Sequence, residues 1–138
     1  MSTSEDITLV ENAIHNPAEP RHFMRVTPAG ALRSASVSGA TIARSTDAVV
    51  VKEVGRDVYD PVIYFPRTDV TMDALVGIDK TTHCPLKGDT EYFDVVIDGQ
   101  TIAEAAWSYV ETIEVAAELR GYVAFVLPAT HFVGHRID

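Results

Sequence analysis

Hydrophobic and polar positions alternate with a period of two over most of this chain, the period of a half-buried β-strand. The pattern predicts strands over 22–27, 33–37, 41–44, 48–54, 62–65, 91–97, 100–109 and 122–126. Turn residues punctuate them: Pro28-Ala29-Gly30, Ser38-Gly39, Gly55-Arg56-Asp57, Pro66, Asp98-Gly99 and Pro128. Asp98-Gly99 is the strongest hairpin signal, because both central residues of a type I′ turn need positive φ. A regular hairpin there pairs Ile97 with Gln100. It puts Tyr92, Ala103, Ala105, Trp107 and Tyr109 on one face, and Phe93, Val95, Ile97 and Ile102 on the other. The aliphatic face reads as core. The face of small residues beside aromatics suits the floor of a ligand pocket.

Three segments carry helical spacing instead. Ser4-Glu5-Asp6 can cap a helix whose apolar face is Ile7, Val10 and Ile14, ended by Pro17 and Pro20. Asp69 or Thr71 can cap one or two helical turns, with Val70, Met72, Leu75 and Val76 inward and Gly77 as the stop. A third short helix is predicted over 113–119, ended by Gly121. The predicted fold is mainly β: one β-rich domain with two or three short helices. Residues 1–20 read as an N-terminal helical appendage, 21–127 as the domain and 128–138 as a C-terminal tail.

Composition narrows the function classes. A chain of 138 residues with 46% hydrophobic residues suits one packed domain. Twenty acidic residues against 11 basic ones give a net charge of −9, which repels phosphate backbones and anionic lipids. From Gly88 to Leu119 there are eight acidic residues and no Lys or Arg. Neither a nucleic-acid nor a membrane partner is expected. One cysteine excludes an internal disulfide and the usual multi-thiolate zinc sites. The N-terminus lacks the basic start and apolar run of a signal peptide, so the expected location is the cytoplasm. No cofactor is implied.

The stretch richest in chemistry is Thr81-Thr82-His83-Cys84-Pro85-Leu86-Lys87-Gly88. As a nucleophile, Cys84 would draw on His83 or Lys87 as a nearby cation; otherwise it is a small hydrophobe at a tight turn. Lys87 can hold an anionic ligand group, with Gly88 letting the ligand approach the backbone. It can equally pair with Glu53 or Asp89. Glu53 shares the alternation of Val49 and Val51, so a buried carboxylate there needs a partner, and Lys87 or Arg44 would serve. Such a pair is either structural or an acid–base couple. Tyr64, Tyr92, Trp107 and Tyr109 suit either a core or a pocket wall. His131 and His135 have the spacing of two metal ligands on a helix, but Gly134 lies between them, and no metal is assigned.

Several of these pieces occur together in a known family. Ile42-Ala43-Arg44-Ser45, Tyr64-Phe65-Pro66, Thr82 to Gly88, Ala105-Ala106-Trp107-Ser108-Tyr109 and Gly121-Tyr122-Val123-Ala124-Phe125 resemble the family called domain of unknown function 427. The resemblance runs from about Arg25 to Val126. It implies a β-rich domain similar in shape to the Mss4-like, or β-tent, fold. The zinc site of many proteins with that shape does not carry over, since this chain has one cysteine. The family is sometimes labelled nucleotidyltransferase-like. This chain has no paired-carboxylate motif after Gly-Ser, and Lys87-Gly88 is no phosphate loop. Leu86 stands where the family often carries an aromatic residue.

The leading expectation is a small-molecule-binding domain with its pocket at Glu53, Tyr64, Lys87, Gly88, Tyr92, Trp107 and Tyr109. The first alternative is an enzyme that uses Cys84 as nucleophile or Glu53 and Lys87 as an acid–base pair. The second is an interaction module, a homodimer formed through the N-terminal helix or an edge strand.

Overall fold

The computed structural model describes residues 9–126. The chain is mainly β. Its strands are β1 (Ile14–Asn16), β2 (Glu19–Pro28), β3 (Arg33–Val37), β4 (Ala40–Ser45), β5 (Val49–Val54) and β6 (Val62–Phe65), followed by β7 (Leu75–Ile78), β8 (His83–Cys84), β9 (Gly88–Ile97), β10 (Gln100–Thr112) and β11 (Val123–Phe125). Nine of them form one antiparallel sheet in the order β1-β2-β5-β6-β11-β10-β9-β7. β8 and β7 share the outer edge of β9, β8 pairing at Gly88 and Asp89 and β7 at 92–95. The β3–β4 hairpin is a separate two-stranded sheet.

The large sheet divides two cores because successive side chains point to opposite faces. Phe65, Phe93, Val95, Val123 and Phe125 bury one face against Ala35, Val37, Ile42 and Ala43 of the small hairpin. Met24, Val51, Tyr64, Tyr109 and Ala124 build the other face. That second face is covered by Ala116 and Leu119 of a 3-10 turn (Glu114–Leu119) and by Leu86 of the β8–β9 turn. Leu86 and Leu119 are both fully buried. Each of those side chains is worth about 2 kcal/mol in apolar burial.

Both hairpin turns take the backbone their residues dictate. Asp98 and Gly99 have φ of 51° and 76°, and Ser38 and Gly39 have 49° and 83°. Ile97 pairs with Gln100 as the turn requires.

The structure corrects three expectations. The helix predicted through Ile14 is absent from its described part: Ile14–Asn16 is a strand paired with β2, and Pro17 lies in the turn between them. The cross-strand ladder replaces the helical face, so Val10 and Ile14 do not form an amphipathic docking stripe. Ser4 to Ile7 lies outside the described residues, as do His131 and His135. Over 67–78 the helical turns are two short 3-10 segments, Arg67–Asp69 and Met72–Ala74, and Leu75–Ile78 is β7. Strand alternation turns Leu75 inward and leaves Val76 exposed, while Gly77 pairs with Phe93 rather than ending a helix.

The third correction concerns the long hairpin. Its register shifts between Ile102 and Ala106, where Glu104 has φ of 53°. Trp107 therefore pairs with Tyr92, and both stay on the predicted face with Tyr109. Ala103 becomes exposed and Ala105 joins the opposite core. A bulge inserts residues that strict alternation cannot anticipate.

Gly88 opens β9 with φ of 128°, and a Cβ there would lie 2.1 Å from the carbonyl oxygen of Glu111. Gly99 has open space around it. Gly88→Ala is therefore expected to cost about 4 kcal/mol or more, and Gly99→Ala only about 1 kcal/mol. Urea unfolding of the two variants checks this, and equal losses would remove the tight-approach argument.

Candidate functional site

The second face of the sheet opens into a cleft of about 900 Å³. Tyr64, Tyr92, Trp107 and Tyr109 form one wall, and Val62 lies beside them. Strand alternation puts them together: Tyr64 points away from Phe65, and Trp107 faces Tyr92 across the β9–β10 ladder. The rings meet at 6.2 Å (Tyr64–Trp107, edge-on), 6.3 Å (Tyr92–Trp107) and 6.4 Å (Tyr64–Tyr109). Trp107 Nε1 donates to the Tyr64 hydroxyl at 3.3 Å. Burial pushes the Tyr64 and Tyr109 phenols well above their ordinary range. Both therefore stay protonated donors at any physiological pH.

The β8–β9 turn supplies the floor. The amide of Lys87 donates to the Cys84 carbonyl at 3.1 Å, and its own carbonyl accepts from Ile113 at 2.9 Å. Gly88 is locked against β10. Leu86 anchors the turn in the core, and the next side chain, Lys87, is buried as well. Lys87 is only 5% exposed. Its ammonium donates to Glu53 Oε1, lies 3.7 Å from Cys84 Sγ and sits 5.6 Å from the centre of the Tyr109 ring. The ion pair, the thiol contact and the cation–π contact compensate a charge that burial would otherwise penalise.

Glu53 has a second partner that sequence reasoning missed. His22 Nε2 donates to Glu53 Oε2 at 2.6 Å. The imidazole is oriented from behind by Asn16, which is buried at the end of β1. The Ala18 amide donates to Asn16 Oδ1 at 2.9 Å, which turns the Asn16 Nδ2 toward His22 Nδ1 at 3.2 Å. His22 Nδ1 thus accepts, and the ring proton on Nε2 points at Glu53. The signal was legible in principle: His22 alternates with Met24 and Val26, both of which pack on the second face.

Burial alone would raise the Glu53 carboxyl, but the hydrogen bonds from Lys87 and His22 outweigh it and hold it below its ordinary 4.5. A carboxylate lowered in the folded state adds stability above its unfolded value, and that stability is lost as pH falls through the lower folded value. The ion pair's contribution is therefore expected to be complete at neutral pH and to disappear only below about pH 4.3. Glu53→Gln leaves the Lys87 ammonium buried without a counter-charge and should cost about 3 kcal/mol at pH 7. Urea unfolding from pH 3 to pH 7 checks both. A wild type and variant of equal stability at pH 7 would reduce the pair to a neutral contact.

The other predicted residues divide. Cys84 is half-buried and lines the cleft, as does Pro85. Gly88 does not line it; its missing side chain makes room for the backbone of β10, not for a ligand. His83 turns away and pairs with Asp89 at the surface, at 2.6 Å. Arg44 lies on β4 in the small hairpin, away from Glu53. The mouth was not anticipated: Gly55, Arg56 and Tyr59 come from the loop after β5, and Glu19 and Arg21 from β2. Among the described residues, no three His, Cys, Asp or Glu side chains converge as metal ligands. No described helix is long and apolar enough to cross a membrane.

A search of curated proteins finds no significant match. A family model described as a domain of unknown function (DUF427) matches residues 25–133, most of the chain. The matched span contains β3 to β11, the aromatic wall, Glu53 and the β8–β9 turn, and begins after His22. The chain belongs to the DUF427 family.

Proposed function

We propose that the cleft binds a small molecule with a planar, conjugated body. The observation that carries this reading is the convergence of four aromatic rings, from β6, β9 and β10, on a cleft with a buried ion pair as its floor. The volume of about 900 Å³ lies in the range of ligand pockets. Aromatic walls offer large contact area at little conformational cost, and a few fixed polar groups set orientation. The Tyr64 hydroxyl already accepts from Trp107, so its own proton is left to donate. The Glu53 carboxylate and the Tyr109 hydroxyl offer further polar points.

Trp107 is the only tryptophan, so intrinsic emission reports on the cleft alone. A neutral planar probe, 4-nitrobenzamide, is expected to quench it saturably. Tyr92→Leu removes one ring of the wall and should weaken that binding by about tenfold, the worth of an aromatic pair. Emission that falls only linearly up to solubility, as with collisional quenching, would sink the reading.

One distance favours a second reading, an enzyme: Lys87 Nζ lies 3.7 Å from Cys84 Sγ. The thiol also lines the cleft, where a ligand would meet it. In this reading Cys84 Sγ attacks the carbonyl carbon of an ester held over the aromatic wall; the ester C–O bond breaks, a thioester forms on Cys84, and the thiol proton passes to the departing alcohol, with Lys87, Glu53 and His22 as a hydrogen-bonded chain beside it. Iodoacetamide is then expected to alkylate Cys84 in the folded protein, and Lys87→Met to slow it at least threefold at equal folded fraction. An alkylation rate that matches global unfolding would remove Cys84 as a nucleophile and leave ligand binding untouched.

A further inference from the structure

The charges that line the cleft do not cancel. Three cations, Arg21, Arg56 and Lys87, face two carboxylates, Glu19 and Glu53. Lys87 is matched by Glu53 at the floor. Arg21 is matched by Glu19 through two hydrogen bonds, at 2.7 Å and 3.0 Å. Among the described residues Arg56 has no ion pair or hydrogen bond from its side chain. Among the described residues it is the one uncompensated charge on the cleft, in a protein whose net charge is −9.

Its loop is built rather than loose. The Gly55 amide donates to the Asp57 carbonyl at 2.9 Å, and the Tyr59 amide donates to the Glu53 carbonyl at 3.1 Å. The Val58 amide donates to Asp57 Oδ1 at 2.7 Å. Gly55 packs closely under Tyr59 and His22, where a Cβ would meet ring atoms at 3.2 Å and 3.4 Å. Arg56 is therefore carried on a turn tied back to Glu53 itself, and it lines the same cleft as the aromatic wall and the Lys87–Glu53 pair. A guanidinium so placed has five donors in a planar fork and fits a carboxylate.

Building on the aromatic-cleft reading, we propose that the ligand is a small aromatic carboxylate, its ring on the Trp107–Tyr92 wall and its anionic group on Arg56 at the mouth. The floor is the wrong place for that group. There Lys87 is already neutralised, and an anion would meet Glu53. Long-range electrostatics oppose the proposal, since a net negative protein repels an anion. A preference for the carboxylate over its neutral amide therefore has to come from a local cation.

The test compares 4-nitrobenzoate with 4-nitrobenzamide by saturable quenching of Trp107 at low ionic strength. The expected result is a roughly fivefold tighter benzoate, the upper end for a solvent-accessible ion pair. Arg56→Gln should abolish the preference, so that benzoate and amide bind this variant equally. Arg21→Gln, which removes a cation already matched by Glu19, should keep it. If amide and benzoate bind equally to the wild type, the proposal is overturned and the aromatic cleft stands. If the preference survives in Arg56→Gln, or is lost in Arg21→Gln, the anion sits elsewhere and the assignment to Arg56 is wrong. If neither probe binds saturably, both the cleft reading and this proposal fall.

Discussion

The ion pair between Lys87 and Glu53 is the constraint on which the rest of the site depends. It joins two parts of the chain 34 residues apart, the end of β5 and the β8–β9 turn. Neither charge would be tolerated in this position alone, because an uncompensated buried charge costs several kcal/mol. Each therefore requires the other, and everything nearby serves to hold them. Leu86 anchors the turn, Gly88 lets it close on β10, and His22, itself oriented by Asn16, takes the second carboxylate oxygen. A pair of this kind adds little net stability compared with an apolar substitute. Its place on an aromatic cleft fixes a polar point there.

The sheet separates structure from site. One face is closed by a hairpin that brings its own alanines, valine and isoleucine. Among the described residues the other face is closed only in part, by one 3-10 turn and Leu86. The aromatic residues lie on this incompletely covered face. Their rings contact one another at about 6 Å, which keeps the wall rigid without filling the space in front of it. The bulge before Ala106 matters here. It withdraws Ala103 and Ala105 from the face and lets Trp107 stand opposite Tyr92.

Charge follows the same division. The chain has 20 acidic residues against 11 basic ones, whereas the described residues that line the cleft include one more cation than carboxylate. The two matched cations are settled within the protein, one at the floor and one at the rim. The unmatched one, Arg56, is on a loop braced by backbone hydrogen bonds to Asp57 and Glu53. The field of the whole molecule, at a net charge of −9, has the opposite sign to that local cation.

By itself the sequence determined the strands other than β1, β7 and β8, the two glycine hairpins and the membership of the aromatic wall. Each of these is a local matter. Period-two alternation decides which side chains share a face, and positive φ at Asp98-Gly99 or Ser38-Gly39 decides where the chain reverses. Glu53 and Lys87 were both legible as candidates, since a carboxylate on a valine alternation needs a partner. Which partner it takes was decided only in three dimensions, where Lys87 reaches Glu53 while Asp89 turns out to His83 and Arg44 stays on β4. The same holds for His22 and Arg56, which reach the cleft, and for Asn16 behind His22, all placed by the order β1-β2-β5-β6. The N-terminal segment shows the limit most plainly. Val10 and Ile14 have helical spacing, but a ladder of backbone hydrogen bonds to β2 outweighs so short a stripe. Spacing along a chain fixes faces; which faces meet is set by strand pairing at long range, and no local pattern encodes it.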